Sequence, residues 1–255
     1  MSRLFSLNTQ HSTLNPFALL LLLSATVTAA EPESPPSGPL VNTFSIVACD
    51  LENKEWGVAV ASKYLAVGSI CPWAQGDVGA IATQSYVNPD YGPKGLELLK
   101  AGKTAEETVK LLTEADGGRE YRQLGIVDSQ GNPATYTGSK CMPWCGGKTG
   151  KNFACQGNIL AGPEVVDAMA EAFEKTTRPL AWKMLAALEA ADAKGGDTRG
   201  KQSASILVVR RYNPEALYDR VIDYRVDDHA APIPELARIL SLGLPKPGAE
   251  PAAGE

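Results

Sequence analysis

Three residues near the start of the apolar part of the chain are of types that could carry out nucleophilic catalysis. Thr43 opens a strand-like run over residues 43–50, and a short polar turn leads to a second run over 56–63 that ends on a lysine. A freed α-amine on Thr43 would serve as general base for its own hydroxyl, which could then attack an amide carbonyl. Lys63 would lower the pKa of that amine by like-charge repulsion, and Asp50 would orient Lys63. The alternative is a strand-initiating Thr, a turn Asp and a surface Lys.

Polar segments that flank later strand-like runs supply a second set of candidates. Amide and backbone N–H groups at strand ends can form an oxyanion hole or hold a substrate carboxylate, which Arg199 could bind with two parallel hydrogen bonds. The alternative is turn chemistry, in which Asn and Asp cap loops and Gly allows positive φ. We predict substrate-binding roles for the following side chains: Gln84, Asn88, Gln156, Asn158, Asp197, Arg199, Gln202 and Ser203.

Other kinds of site fit the chain poorly. A Ser-His-Asp triad would have to use His229, which follows two aspartates in a segment typical of an exposed turn. The glycines follow neither a dinucleotide-binding nor a phosphate-loop spacing, so no cofactor is indicated. Cys141 and Cys145 could belong to a zinc site, but there is no second closely spaced pair, and we predict no metal ligand.

The first thirty residues predict a secretory signal peptide. Arg3 is their one charged residue, and the apolar run over 17–23 is shorter than the roughly 20 residues that span a bilayer. Small residues follow, which predicts cleavage after Ala29 or Ala30 and export to a periplasm or the medium. A retained membrane anchor is the alternative.

Two Pro-rich segments bound a single predicted domain. Residues 31–42 are predicted to be a disordered spacer and residues 243–255 a disordered tail, and residues 43–242 between them are enough for one domain with a substantial core. A net charge of −5 without any run of Lys or Arg argues against nucleic acid or an anionic membrane as partner. We expect a small-molecule amide or peptide substrate, and a homo-oligomer is a further expectation.

Five cysteines in an exported protein favour disulfides, and the odd number leaves one thiol unpaired unless chains cross-link. Cys141, Cys145 and Cys155 are close in sequence, so we predict a bridge between two of them. Cys49 and Cys71 fit small core residues equally well.

The spacing of apolar residues changes several times along the domain. It predicts strands over 43–49, 56–62, 77–85, 122–127, 133–137, 153–156, 205–211 and 217–226, and helices over 93–115 (two, separated at Gly102), 163–174, 179–193 and 234–242. Thr104 and Glu107 have the spacing of a capping box. Because groups of strands alternate with groups of helices, the order predicts an α+β fold rather than a doubly wound parallel sheet. Two antiparallel sheets with helices outside, a four-layer αββα sandwich, fit it best.

Several motifs, in order, resemble the bacterial family named domain of unknown function 1028. They are Thr-Phe-Ser-Ile-Val-Ala at 43–48, Ala-Thr-Gln-Ser-Tyr-Val-Asn-Pro-Asp-Tyr-Gly at 82–92, Cys-Gln-Gly-Asn-Ile-Leu-Ala-Gly at 155–162 and Gly-Gly-Asp-Thr-Arg-Gly-Lys-Gln-Ser-Ala at 195–204. The resemblance implies an N-terminal-nucleophile-hydrolase-like fold and no established activity. Some relatives carry an added peptidoglycan-binding segment, which implies a cell-wall association as one partner hypothesis.

The position of Thr43 departs from that of relatives that begin Met-Thr-Phe-Ser. Residues 31–42 would still precede Thr43 after signal cleavage, so a free amine requires self-cleavage at Asn42–Thr43 or another protease. Our hypothesis is an exported N-terminal-nucleophile-type amide hydrolase that acts on a small peptide-like or acylamino substrate, with self-processing before Thr43. The alternative is a catalytically inactive sandwich that binds a small ligand or cell-wall fragment.

Overall fold

Strands and helices alternate in groups along the part of the chain that the structure, a computed structural model, describes: residues 34–211, 215 and 217–244. The strands are β1 (Leu40–Val41), β2 (Thr43–Asp50), β3 (Glu55–Ser62), β4 (Pro72–Gln75), β5 (Gly79–Tyr86), β6 (Arg122–Asp128), β7 (Pro133–Thr137), β8 (Gly146–Gly150), β9 (Phe153–Gly157), β10 (Ser203–Val209) and β11 (Arg220–Val226). The helices are α1 (Tyr91–Lys100), α2 (Ala105–Glu114), α3 (Pro163–Lys175), α4 (Leu180–Ala193) and α5 (Pro232–Gly243). All of these elements lie in the unit Pro35–Glu255.

The strands form two antiparallel sheets. The six-stranded sheet has the order β11-β10-β3-β2-β9-β8, so the β2–β3 hairpin lies at its centre. The five-stranded sheet has the order β1-β5-β6-β7, and β4 also pairs with β5. Both β4 and β1 lie along the same strand, β4 opposite residues 79–82 and β1 opposite residues 85–86. Two short strands therefore share that edge of the sheet.

Both faces of each central strand are buried, which explains their nearly continuous apolar sequences. Ala80 and Ala82 of β5 face the core between the sheets, whereas Ile81 packs with α1 and α2. In the other sheet, Val47 and Val58 belong to the core between the sheets, while α3 and α4 pack on the outer face. The layers are helices, sheet, sheet, helices. The predicted α+β class and αββα layering are confirmed.

The predicted helix start at Thr104 is confirmed as a capping box. The Thr104 hydroxyl accepts a hydrogen bond from the backbone N–H of Glu107 at 3.2 Å, and the Glu107 carboxylate accepts one from the backbone N–H of Thr104 at 2.9 Å. Each side chain thus satisfies a backbone donor that the first turn of a helix leaves unpaired. No described helix has the length and apolar character needed to cross a bilayer.

The sequence prediction missed β1, β4 and β8. β8 is rich in glycine and β4 begins with proline, so neither has the apolar run on which the prediction relied. The prediction of a disordered spacer up to residue 42 is wrong at its end, because Leu40–Val41 pair with β5 and Asn42 is buried. The predicted signal peptide and the tail beyond residue 244 lie outside the described residues.

Candidate functional site

Thr43 is the first residue of β2 and lies opposite Ser62, the last residue of β3. Its side chain is completely buried, and within the described part of the chain its hydroxyl has no hydrogen-bond partner. A buried hydroxyl without a hydrogen-bond partner lowers the free energy of unfolding by about 1–3 kcal/mol. The Ser205 hydroxyl of β10 also lacks a partner, so it is the position of Thr43 directly after the Asn42 carbonyl that makes its hydroxyl a candidate for a chemical role.

Two side chains donate hydrogen bonds to the carbonyl oxygen of Asn42, which belongs to the peptide bond directly before Thr43. The Arg199 guanidinium donates from Nη2 at 2.8 Å, and the Ser62 hydroxyl makes a short hydrogen bond to the same oxygen. Two fixed donors on one carbonyl oxygen are the arrangement that stabilises the oxyanion of a tetrahedral intermediate. The Asn42–Thr43 peptide thus has a polarised carbonyl next to an unpartnered hydroxyl.

Asp197 holds Arg199 in this position. The guanidinium donates to both carboxylate oxygens, from Nε at 3.0 Å and from Nη2 at 2.6 Å, and the backbone N–H of Arg199 donates at 3.0 Å. The backbone N–H of Lys63 donates to the same carboxylate at 3.1 Å. Arg199 therefore does bind a carboxylate through two hydrogen bonds, but that carboxylate is Asp197 of the same loop, and its predicted role toward a substrate carboxylate stays a prediction. Glycines with positive φ at 195, 196 and 200 let this loop turn tightly around the pair.

The structure does not bring Asp50 and Lys63 together. Asp50 lies opposite Glu55 at the far end of β2, seven residues from Thr43, and its carboxylate accepts hydrogen bonds from Glu52 and Asn53 in the β2–β3 turn. The prediction that Asp50 orients Lys63 is wrong, because an antiparallel hairpin places the end of the second strand beside the start of the first. The carboxylate that lies next to Lys63 is that of Asp197, which accepts a hydrogen bond from the Lys63 backbone N–H.

Lys63 follows the residue opposite Thr43, but its side chain is exposed. Its ammonium donates to the carbonyl of Lys201 at 3.4 Å and makes no hydrogen bond to the Thr43 hydroxyl. The cation nearest to the Asn42–Thr43 peptide is the Arg199 guanidinium instead.

Gln84, Gln156 and Asn158 belong to a buried network between the two sheets. Gln84 Nε2 donates to the Thr43 carbonyl at 3.3 Å, and the Asn158 backbone N–H donates to the same carbonyl at 3.0 Å. Gln156 Nε2 donates to the Ser45 hydroxyl at 2.6 Å. All three side chains are fully buried. That of Gln84 fixes the backbone of Thr43, whereas those of Gln156 and Asn158 donate to Ser45 and Gln123.

Ser45 and Gln123 complete the network and were not predicted. The Ser45 hydroxyl donates to Gln84 Oε1 at 2.6 Å, and Gln123 Oε1 accepts from both Gln84 and Asn158 at 2.8 Å. Ser45 on β2 and Gln123 on β6 face the opposite sheet, in phase with Val47 and Val127 of the core between the sheets. In the sequence, a polar residue at a position where the strand alternation predicts a buried apolar one could have indicated both residues.

Three predicted residues lie away from Thr43. Asn88 donates to Asp116 at 3.1 Å, and Gln202 donates to Asp228 at 3.1 Å near the surface. Ser203 lies opposite Ser62 in the neighbouring strand, but its hydroxyl donates to the carbonyl of Tyr64. These side chains stabilise loops.

Asp116 is the centre of a second polar cluster, beside a cleft of about 410 Å³ between α1 and α2. Burial of its carboxylate would raise the pKa, but hydrogen bonds from Arg122, Asn88, the Gly118 backbone and Tyr91 outweigh it and lower the pKa of Asp116 to about 2. Every one of these donors comes from the protein itself. The cluster therefore stabilises the loop before β6.

All five cysteines are free thiols, so the predicted bridge among Cys141, Cys145 and Cys155 is absent from the structure. Cys155 lies inside β9, whereas Cys145 is half-buried and donates to the Cys141 carbonyl at 3.5 Å. Burial raises the pKa of each thiol, which disfavours the thiolate needed for nucleophilic attack. Among the described residues, no group of three His, Cys, Asp or Glu side chains could hold a metal ion.

Comparison with known proteins shows where this chain belongs. The family model described as "Family of unknown function (DUF1028)" matches residues 43–236, from the first residue of β2 into α5. The chain belongs to the DUF1028 family. The crystal structure of the DUF1028 protein SPO2555 from Silicibacter pomeroyi is similar, with 32% sequence identity and a TM-score of 0.71, over 79% of this chain and 88% of that one.

A second solved structure is much less similar. The Anbu (ancestral beta-subunit) protein from Yersinia bercovieri is 14% identical over 79% of this chain and 94% of that one, with a TM-score of 0.34. A similarity at that level carries no argument. No curated protein matches this chain. The DUF1028 match supplies a family and a fold, so the chemistry has to be argued from the site itself.

Proposed function

We propose that this DUF1028 protein is an N-terminal-nucleophile-type amide hydrolase that frees Thr43 by cleaving its own Asn42–Thr43 peptide. The observation that carries the proposal is the Asn42 carbonyl oxygen, which accepts hydrogen bonds from Ser62 and Arg199 beside the unpartnered hydroxyl of Thr43. Donors that are already in place require no reorganisation when negative charge develops on that oxygen.

Self-cleavage proceeds in two steps. The Thr43 Oγ1 forms a bond to the Asn42 carbonyl carbon, the bond from that carbon to the Thr43 nitrogen breaks, and the hydroxyl proton passes to that nitrogen. Water then hydrolyses the resulting ester, which gives a carboxylate on Asn42 and restores the Thr43 hydroxyl. The products are the preceding segment and a domain that begins with a free α-amine.

The freed amine then acts as general base for hydrolysis of other amides. It takes the proton of the Thr43 hydroxyl during attack and returns a proton to the departing amine of the substrate. Arg199, whose charge is offset by Asp197, supports the reaction by donating to the carbonyl oxygen that develops negative charge. The proposed substrates are small peptide-like or acylamino compounds, and the signal-like residues 1–30 support action outside the cytoplasm.

Thr43→Val and Thr43→Ser together test the proposal. Valine has the shape of threonine without its hydroxyl, and that hydroxyl has no partner to lose, so Thr43→Val should fold. N-terminal sequencing and intact mass should show a start at residue 43 for the wild type and Thr43→Ser, whereas Thr43→Val should keep the preceding residues and hydrolyse no acylamino substrate.

Two outcomes would contradict the proposal. A wild-type protein that always keeps the residues before Thr43 has no freed nucleophile, and hydrolysis by Thr43→Val would place the chemistry elsewhere. The first outcome would favour the catalytically inactive, ligand-binding alternative.

A further inference from the structure

The residues that precede Thr43 lie on β5 as an added strand. Leu40 is opposite Tyr86 and Val41 is opposite Ser85, and the backbone N–H of Val87 donates to the carbonyl of Pro39 at 2.9 Å. β4 covers the adjacent part of the same edge, with its first residue opposite Ala82, and the carbonyl of Cys71 before it accepts a hydrogen bond from the backbone N–H of Thr83 at 3.1 Å. Among the described residues, the edge of β5 beyond Thr83 is thus covered by β1.

The side chains of this segment enter the interior. Val41 is completely buried and belongs to the core between the two sheets, together with Val87. Asn42 is 1% exposed, and within the described residues its Oδ1 has no hydrogen-bond partner. Leu40 is half-buried. The site therefore encloses the Val41 side chain and makes no hydrogen bond to the side-chain oxygen of Asn42.

Self-cleavage and substrate hydrolysis would pass through the same kind of ester on Thr43, which relates residues 39–42 to the substrate. The inference rests on the proposed function. The ester formed between Asn42 and Thr43 in self-cleavage is the same species as the acyl-enzyme that a peptide ending in Pro-Leu-Val-Asn would form. A site that holds residues 39–42 for the first reaction is therefore built for the acyl portion of a peptide in the second.

We propose that the substrate of the mature protein is an extended peptide whose acyl side takes the place of residues 39–42 on the edge of β5. Its backbone pairs with residues 85–87, and an aliphatic side chain two residues before the cleaved bond fills the site that Val41 occupies. Main-chain pairing of this kind supplies affinity, and pockets for alternate side chains supply specificity.

The covalent steps are those of acyl transfer. The Thr43 Oγ1 forms a bond to the substrate carbonyl carbon, the carbon–nitrogen bond breaks, and the departing amine receives the proton that the Thr43 amine took from the hydroxyl. Water hydrolyses the ester to a peptide carboxylate. Ser62 and Arg199 donate to the carbonyl oxygen in both steps.

Peptide amides with a fluorogenic aminocoumarin test the inference on protein that begins at Thr43. The probes are acetyl-Pro-Leu-Val-Asn, the analogue with Val replaced by Ala, the matched control with Leu replaced by Ala, and acetyl-Asn alone. The Val-to-Ala analogue should have a kcat/KM lower by roughly 10–200-fold, the range for lost apolar groups in a pocket. The control, altered at a half-buried position, should lose much less.

The outcomes separate this inference from the proposed function. Hydrolysis of all four probes with similar kcat/KM would overturn the edge-strand site and leave the amide hydrolase intact. Failure to hydrolyse any amide by protein that begins at Thr43 would overturn both.

Discussion

Ser62→Ala separates the proposed oxyanion role of Ser62 from its structural role. The substitution removes one of the two donors to the Asn42 carbonyl and leaves the Arg199 donor at 2.8 Å in place. Loss of one such donor lowers the rate of acyl transfer by about 10²–10³-fold, which corresponds to about 2.7–4 kcal/mol in the barrier. The stability cost should be smaller, about 1 kcal/mol, the net contribution of one hydrogen bond to folding.

Ser203→Ala is the matched control. Ser203 is buried, lies opposite Ser62 in the neighbouring strand, and donates to the Tyr64 carbonyl rather than to Asn42. Its hydroxyl also accepts a hydrogen bond from the backbone N–H of Val67 at 3.1 Å, so Ser203→Ala should lower the free energy of unfolding at least as much as Ser62→Ala, without slowing self-cleavage. The assay follows the appearance of the chain that begins at Thr43 by intact mass over time, alongside urea unfolding of each variant.

A clear result would refute the reasoning. If Ser62→Ala releases Thr43 at the wild-type rate, the short hydrogen bond to Asn42 is only structural. Equal slowing by Ser62→Ala and Ser203→Ala would also refute it, because the effect would then follow stability rather than the donor.

Three further predictions concern the scaffold. Asp116→Asn removes a carboxylate whose pKa is about 2, below the ordinary 3.8. The stabilisation that the ionised carboxylate gives the wild type is complete above about pH 4 and is lost as the pH falls through about 2. Urea unfolding should therefore show a stability difference between the two proteins that shrinks by about 2 kcal/mol as the pH falls from about 4 to about 2. Gly92→Ala places a Cβ 2.1 Å from the ring of Trp73, and calorimetry should show a loss of about 1–3 kcal/mol, whereas Gly117→Ala, with open space around it, should show little. A reductant should leave the melting temperature unchanged, and a thiol reagent should modify half-buried Cys145 before the buried cysteines, as peptide mapping would detect.

The layers of the fold could be predicted because both faces of the central strands are covered. Runs such as Ile46–Ala48 then lack charge, and helices separate the strand groups with recognisable boundaries such as Thr104. β1 could not be predicted in the same way. Its two residues follow a Pro-rich stretch, and they form a strand only because β4 leaves part of the edge of β5 open. That pairing depends on the tertiary structure and has no local sequence signal.

The candidate site shows a similar division. Thr43 could be proposed from its position at the head of an apolar strand, and Arg199 from its polar loop. The role given to Asp50 was wrong because proximity in sequence was taken for proximity in space, while strand pairing put it at the opposite end of the hairpin. Asp197 reaches the site from a loop more than a hundred residues away, and only the fold reveals that contact.

The two hydrogen bonds to the Thr43 carbonyl come from different sheets, Gln84 from the five-stranded one and Asn158 from the end of β9 in the six-stranded one. The position of the Thr43 backbone therefore depends on both sheets. If one sheet slides against the other, Thr43 moves relative to the groups around it. A displacement of about 1 Å can cost about 10²-fold in rate while most of the packing survives. Substitutions far from Thr43 that shift one sheet against the other should consequently impair chemistry well before they impair folding.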